Sequence, residues 1–68
     1  MNEETFNLEL RKFLKTFGVT AQREIEHSVN QAIADRKITG SETLKTRAVL
    51  EIEGLGKVVT VEGAIALA

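Results

Sequence analysis

A chain of 68 residues with nine basic and ten acidic side chains, net charge −1, projects no strong field toward nucleic acid or an acidic membrane surface. It contains no cysteine, which removes disulfides and thiolate metal sites, and its 43% hydrophobic content argues against disorder. A single small domain over 1–68 is expected, with a thin core, since a chain of this size buries only roughly 60% of its unfolded surface.

The opening "MNEETFNLEL" carries acidic residues and no apolar run, so it does not read as a signal peptide. No apolar stretch approaches the ~20 residues that span a bilayer. A cytoplasmic protein without membrane association is expected, and the lack of cysteine agrees with a reducing compartment.

The first element reads as a helix over about 3–17. Phe6, Leu10, Phe13, Leu14 and Phe17 fall on one face at helical spacing. Asn2 is a good N-cap, and Glu3 and Glu4 oppose the helix dipole in the first turn. Arg11, Lys12 and Lys15 fall toward the other end, and Gly18 supplies a left-handed stop. Phe13 and Phe17 are expected in the core.

A second helix, about 20–37, begins at the cap Thr20 and carries Ala21, Ile25, Val29, Ala32 and Ile33 as its stripe. With only Gly18 and Val19 between them, the helices are expected to form a tight hairpin.

After "ITGSET" the period changes to two. "LKTRAVLEIE" alternates apolar and charged residues, which predicts a half-buried antiparallel strand over about 44–53. "KVVTV" (57–61) and "AIALA" (64–68, strand about 64–67) follow as further strands, with Glu62-Gly63 as a two-residue turn. The expected fold is α+β: a two-helix hairpin packed on one face of a small three-stranded antiparallel sheet, order α-α-β-β-β.

A three-residue loop, Gly54-Leu55-Gly56, would set Glu53 opposite Lys57, Ile52 opposite Val58 and Leu50 opposite Thr60. Leu50, Ile52, Val58, Ile65 and Leu67 would then face the helices. Val49, Val59, Val61, Ala64 and Ala66 would remain on the opposite face with Glu51. These five are the candidate interaction surface, because that face is less polar than a solvated one.

Several motifs fall short of chemistry. "EGLGK" (53–57) lacks the first glycine of a phosphate-binding loop, since Glu51 stands there, and Val58 follows Lys57 where that loop needs Ser or Thr. His27, the single histidine, lies off the apolar stripe with Glu24 near it, too few ligands for a specific metal site. His27 and Ser28 are adjacent and face different directions, so they form no nucleophile–base pair. Ser41 has no second histidine to activate it. Glu51 and Glu53 read as edge charges beside Lys57. No catalytic, cofactor-binding or metal residue is assigned, and an enzyme is not expected.

"FLKTFGVTAQREIEHSV" (13–29) has the outline of a helix-turn-helix. Leu14 is bulky where close helix approach needs a small residue, and Glu24 stands where the motif takes an apolar anchor. Glu24 and Glu26 would repel phosphates, so duplex DNA is not the expected partner.

"NEETFNLELRKFLKTFGVTAQREIE" together with "IEGLGKVVTVEG" resembles a family of short, uncharacterised bacterial proteins of unknown function, whose pattern runs RKFLK, then GVT and QREIE, then EGLG. The resemblance covers nearly the whole chain and implies a bacterial cytosolic protein. It brings no activity, cofactor or functional residue. The expectation is a small non-catalytic interaction or accessory module, partnered by another protein or by itself as a homodimer. The alternative is a weak nucleic-acid-binding or regulatory protein using the 13–29 segment.

Overall fold

The computed structural model describes residues 1–68 as two compact units, Met1–Asp35 and Arg36–Ala68. The first is one helix, α1 (Glu3–Ala34). The second is an antiparallel pair, β1 (Thr43–Ile52) and β2 (Lys57–Ala66). The order is α-β-β. The α+β class stands, but the two-helix hairpin and the three-stranded sheet do not.

α1 begins as its sequence dictates. Asn2 has extended backbone, and its Oδ1 accepts the Thr5 N–H at 3.0 Å, with Glu3 and Glu4 in the first turn. The expected stop at Gly18 does not occur. Gly18 is not among the glycines with positive φ, and the helix runs through it. An interior glycine costs about 1 kcal/mol relative to alanine. Breaking the helix there would leave up to four unpaired groups at each new end, a larger loss unless packing offsets it. The stripe needs no break either, because Phe17, Ala21 and Ile25 continue it across Gly18 in four-residue steps.

The helix ends earlier than Lys37. Asp35 caps it, its N–H donating to the Gln31 carbonyl at 2.9 Å, while the Gln31 side chain donates to the Asp35 carboxylate. The left-handed residue falls on Arg36, φ 59°.

β1 and β2 pair over their full ten residues each, from Thr43 opposite Ala66 to Ile52 opposite Lys57. Gly63 has no positive φ and lies inside β2, so the expected turn at Glu62-Gly63 is extended strand and the last two expected strands are one. The chain reverses only at Glu53–Gly56, where Gly54 (φ 83°) and Gly56 (φ 62°) take conformations that side chains disfavour. Within it the Leu55 N–H donates to the Ile52 carbonyl at 3.3 Å.

That loop holds four residues, one more than expected. Ile52 therefore faces Lys57, Leu50 faces Val59 and Val49 faces Thr60. A one-residue slip changes which residues of the two strands share a face.

Neither unit contains a buried side chain. Phe13 and Phe17, expected in the core, are 55% and 46% exposed, with their rings stacked at 6.5 Å between centroids. No helix is long and apolar enough to cross a membrane.

Candidate interaction surfaces

Each unit sorts its side chains onto an apolar and a polar side. In the hairpin, directly opposed residues share a face and alternate residues change face. Leu44 with Ile65, Ala48 with Val61, and Leu50 with Val59 therefore line one face, with Thr46 and Gly63 between them. Leu44, Thr46, Ala48, Val59 and Ile65 are half-buried, the rest exposed. The other face carries Lys45, Arg47, Glu51 and Glu62, with Arg47 directly opposite Glu62.

The five residues of the expected surface divide between these faces. Val59 and Val61 lie on the apolar face, joined by Leu44, Leu50 and Ile65, three residues expected to be turned away or outside it. Val49, Ala64 and Ala66 lie among the charges. Val58, expected to face inward, is on the charged side opposite Glu51 and is 59% exposed. The alternation within each strand was readable from the sequence; the offset between strands was not.

On α1 the stripe spans the whole helix. Phe6, Leu10, Phe13, Leu14 and Phe17 are between 41% and 55% exposed. Ala21, Ile25, Val29 and Ala32 are half-buried. Seven of these nine positions recur at eleven: Phe6 and Phe17; Leu10, Ala21 and Ala32; Leu14 and Ile25. Eleven residues in three turns is close to the natural helical pitch, so the stripe stays near one side along all 32 residues. Reading the segment as two helices hid this repeat. The first half of the stripe is aromatic and bulky, the second rich in alanine.

Electrostatics add one built feature, in the connection between the units' elements. The Glu42 carboxylate accepts the Thr39, Gly40 and Ser41 N–H groups at 2.8, 2.9 and 3.1 Å, and the Thr39 hydroxyl at 3.2 Å. The Thr39 and Gly40 amides foremost, with the Thr39 hydroxyl, lower its pKa to about 2. The arrangement pins the loop before β1. Gly40 there has φ 103°, which leaves its N–H pointing at the carboxylate.

His27 is exposed on α1, and no three His, Asp or Glu side chains are grouped to hold a metal ion. Lys12 and Glu9 form an exposed ion pair at 3.6 Å. The 13–29 segment is uninterrupted helix, so it has no turn between two helices.

No curated protein matches the sequence, and no solved structure does. One family model matches, described as a family of unknown function, DUF6494, and it covers residues 1–68. By that match over its whole length, the chain belongs to the DUF6494 family.

Proposed function

We propose that this protein is a small non-catalytic interaction module whose partner covers apolar surface that neither unit buries within itself. The observation that carries the reading is the combination of a full-length apolar stripe with the absence of any buried side chain in α1. Long helices in proteins owe most of their stability to packing of an amphipathic face, not to intrinsic propensity. α1 contains Gly18 and several β-branched and aromatic residues, so its propensity is modest. The hairpin poses the same problem, since an isolated two-stranded sheet is marginal in water. The proposed setting is the bacterial cytoplasm, on the grounds of the family resemblance noted above and a composition without cysteine.

The test is a dilution series of the purified protein, followed by far-UV circular dichroism and sedimentation. The reading expects helicity to depend on association: either the protein self-associates, or helix is lost as it becomes monomeric. A chain that stays monomeric and fully helical at every concentration overturns the reading.

A further inference from the structure

We propose that the partner of α1 is α1 of a second copy, packed antiparallel with the two-fold axis passing close to Gly18 and Val19. The proposal rests on the interaction-module reading and names its partner.

Size complementarity sets the direction. The bulky half of the stripe, Phe6 to Phe17, and the small half, Ala21 to Ala32, lie on either side of the helix midpoint, which falls between Gly18 and Val19. A parallel pair would stack phenylalanine on phenylalanine at one end and alanine on alanine at the other, forcing the helices to splay. An antiparallel pair sets Phe17 against the partner's Ala21, Phe13 against the partner's Ile25 and Phe6 against the partner's Ala32. The two Phe–Ala layers then hold one large and one small group each, with Phe13 on Ile25 between them, so neither end gathers all the bulk.

Charge agrees. In an antiparallel pair, like flanks of the two stripes meet. Arg11 and Glu26 lie on the same flank, in opposite halves of the helix, so each Arg11 meets the partner's Glu26, twice by symmetry. A parallel pair would instead gather Glu24 and Glu26 of both chains at one end. The antiparallel arrangement also opposes the two helix dipoles.

Gly18 fits the same axis. It sits at the edge of the stripe, and no atom of the chain lies within 4 Å of where its Cβ would be. Nothing within the monomer requires a glycine there. A partner helix crossing at the midpoint does.

Half of an aromatic side chain is about 100 Å², so Phe6, Phe13 and Phe17 offer roughly 300 Å², and Leu10 and Leu14, each about half exposed, add to it toward the ~800 Å² per partner of a standard interface.

The experiment uses single-cysteine variants of the whole protein, clean reporters because the chain has no cysteine of its own. Wild type is expected to sediment as a dimer that dissociates on dilution. Ala21→Cys, whose two copies would lie about 6 Å apart along the helix axes, is expected to be joined to itself by a short thiol–thiol cross-linker. Phe6→Cys, on the same stripe, is not, because its two copies would stand about 39 Å apart at 1.5 Å per residue. A mixture of Phe6→Cys and Ala32→Cys, which face each other in the pair, is expected to give the mixed dimer. Self-cross-linking of Phe6→Cys as fast as Ala21→Cys overturns the antiparallel pairing while leaving the interaction reading intact. A wild type monomeric at high concentration overturns self-pairing altogether. In that case circular dichroism separates the two ideas: lost helix means a different partner and keeps the interaction reading, whereas full helix defeats both.

Discussion

Single residues decide where this chain turns. Of the five glycines, Gly54 and Gly56 have positive φ in the hairpin loop and Gly40 in the connection, while Gly18 and Gly63 are absorbed into a helix and a strand. Substitution should sort them accordingly. Gly54→Ala and Gly56→Ala are expected to destabilise the hairpin by about 1–2 kcal/mol, the cost of a side chain in the left-handed region. Gly63→Val, in extended backbone with nothing within 4 Å of its Cβ position, is expected to stabilise it by up to about 1 kcal/mol. Thermal melts of the hairpin's cross-strand NMR signals measure both; a turn at Gly63 would reverse the sign of the second. Glu42 adds a pH dependence. Its pKa is depressed to about 2 from 4.5, so the loop order it supports is fully present above pH ~4.5 and is lost as the pH falls through ~2. The amide shifts of Thr39, Gly40 and Ser41 should follow that titration, and Glu42→Gln should weaken the loop at neutral pH. Unchanged amide shifts down to pH 2 would exclude the carboxylate as their acceptor.

At the scale of elements, α1 is capped at its start and continuous through its middle. Asn2→Ala is expected to lower helix stability by about 1 kcal/mol, seen as fraying of the first turn in amide exchange. Gly18 makes a sharper test. In an isolated helix any side chain there raises propensity, so Gly18→Leu should increase helicity if the helix stands alone. If a second α1 crosses at the midpoint, the same change should weaken association at least tenfold in sedimentation. The two outcomes have opposite signs. The helix was legible in the caps and the stripe, but its length was not. Gly18 followed by Thr20 reads equally as a stop and restart, and only the unbroken run of the stripe through Phe17, Ala21 and Ile25 speaks for continuity. In the hairpin, the alternation of "LKTRAVLEIE" marked the faces of β1 correctly, whereas the pairing depended on whether Glu53 belonged to strand or loop.

For the whole molecule, stability and association are expected to be one quantity. Phe13→Ala, which in a closed core typically costs about 3–5 kcal/mol, should act chiefly on the association constant, because Phe13 is 55% exposed within its own chain. A concentration-independent drop in melting temperature would contradict this. Duplex DNA is not expected to bind tightly. The near-neutral charge and the acidic Glu24 and Glu26 offer few phosphate contacts, and sub-micromolar binding that fell steeply with salt would refute that expectation.

Local chemistry was written in the residues: Asn2 must cap, the apolar spacings must form a stripe, and "EGLG" must reverse the chain, because each depends on neighbours a few positions away. The continuity at Gly18, the merging of two strands across Gly63 and the pairing of Leu50 with Val59 were settled only in the folded units. A glycine can take helix, strand and left-handed turn conformations, and the roughly 1 kcal/mol it costs inside a helix or strand is small enough for continuity and pairing to override, so its own sequence context does not choose among them. One residue in a loop moves every pair beyond it, which brought Val59 and Val61 to the face of Leu44 and Leu50, and the unbroken strand across Gly63 brought Ile65 to that face and sent Ala64 and Ala66 to the charged side with Val49.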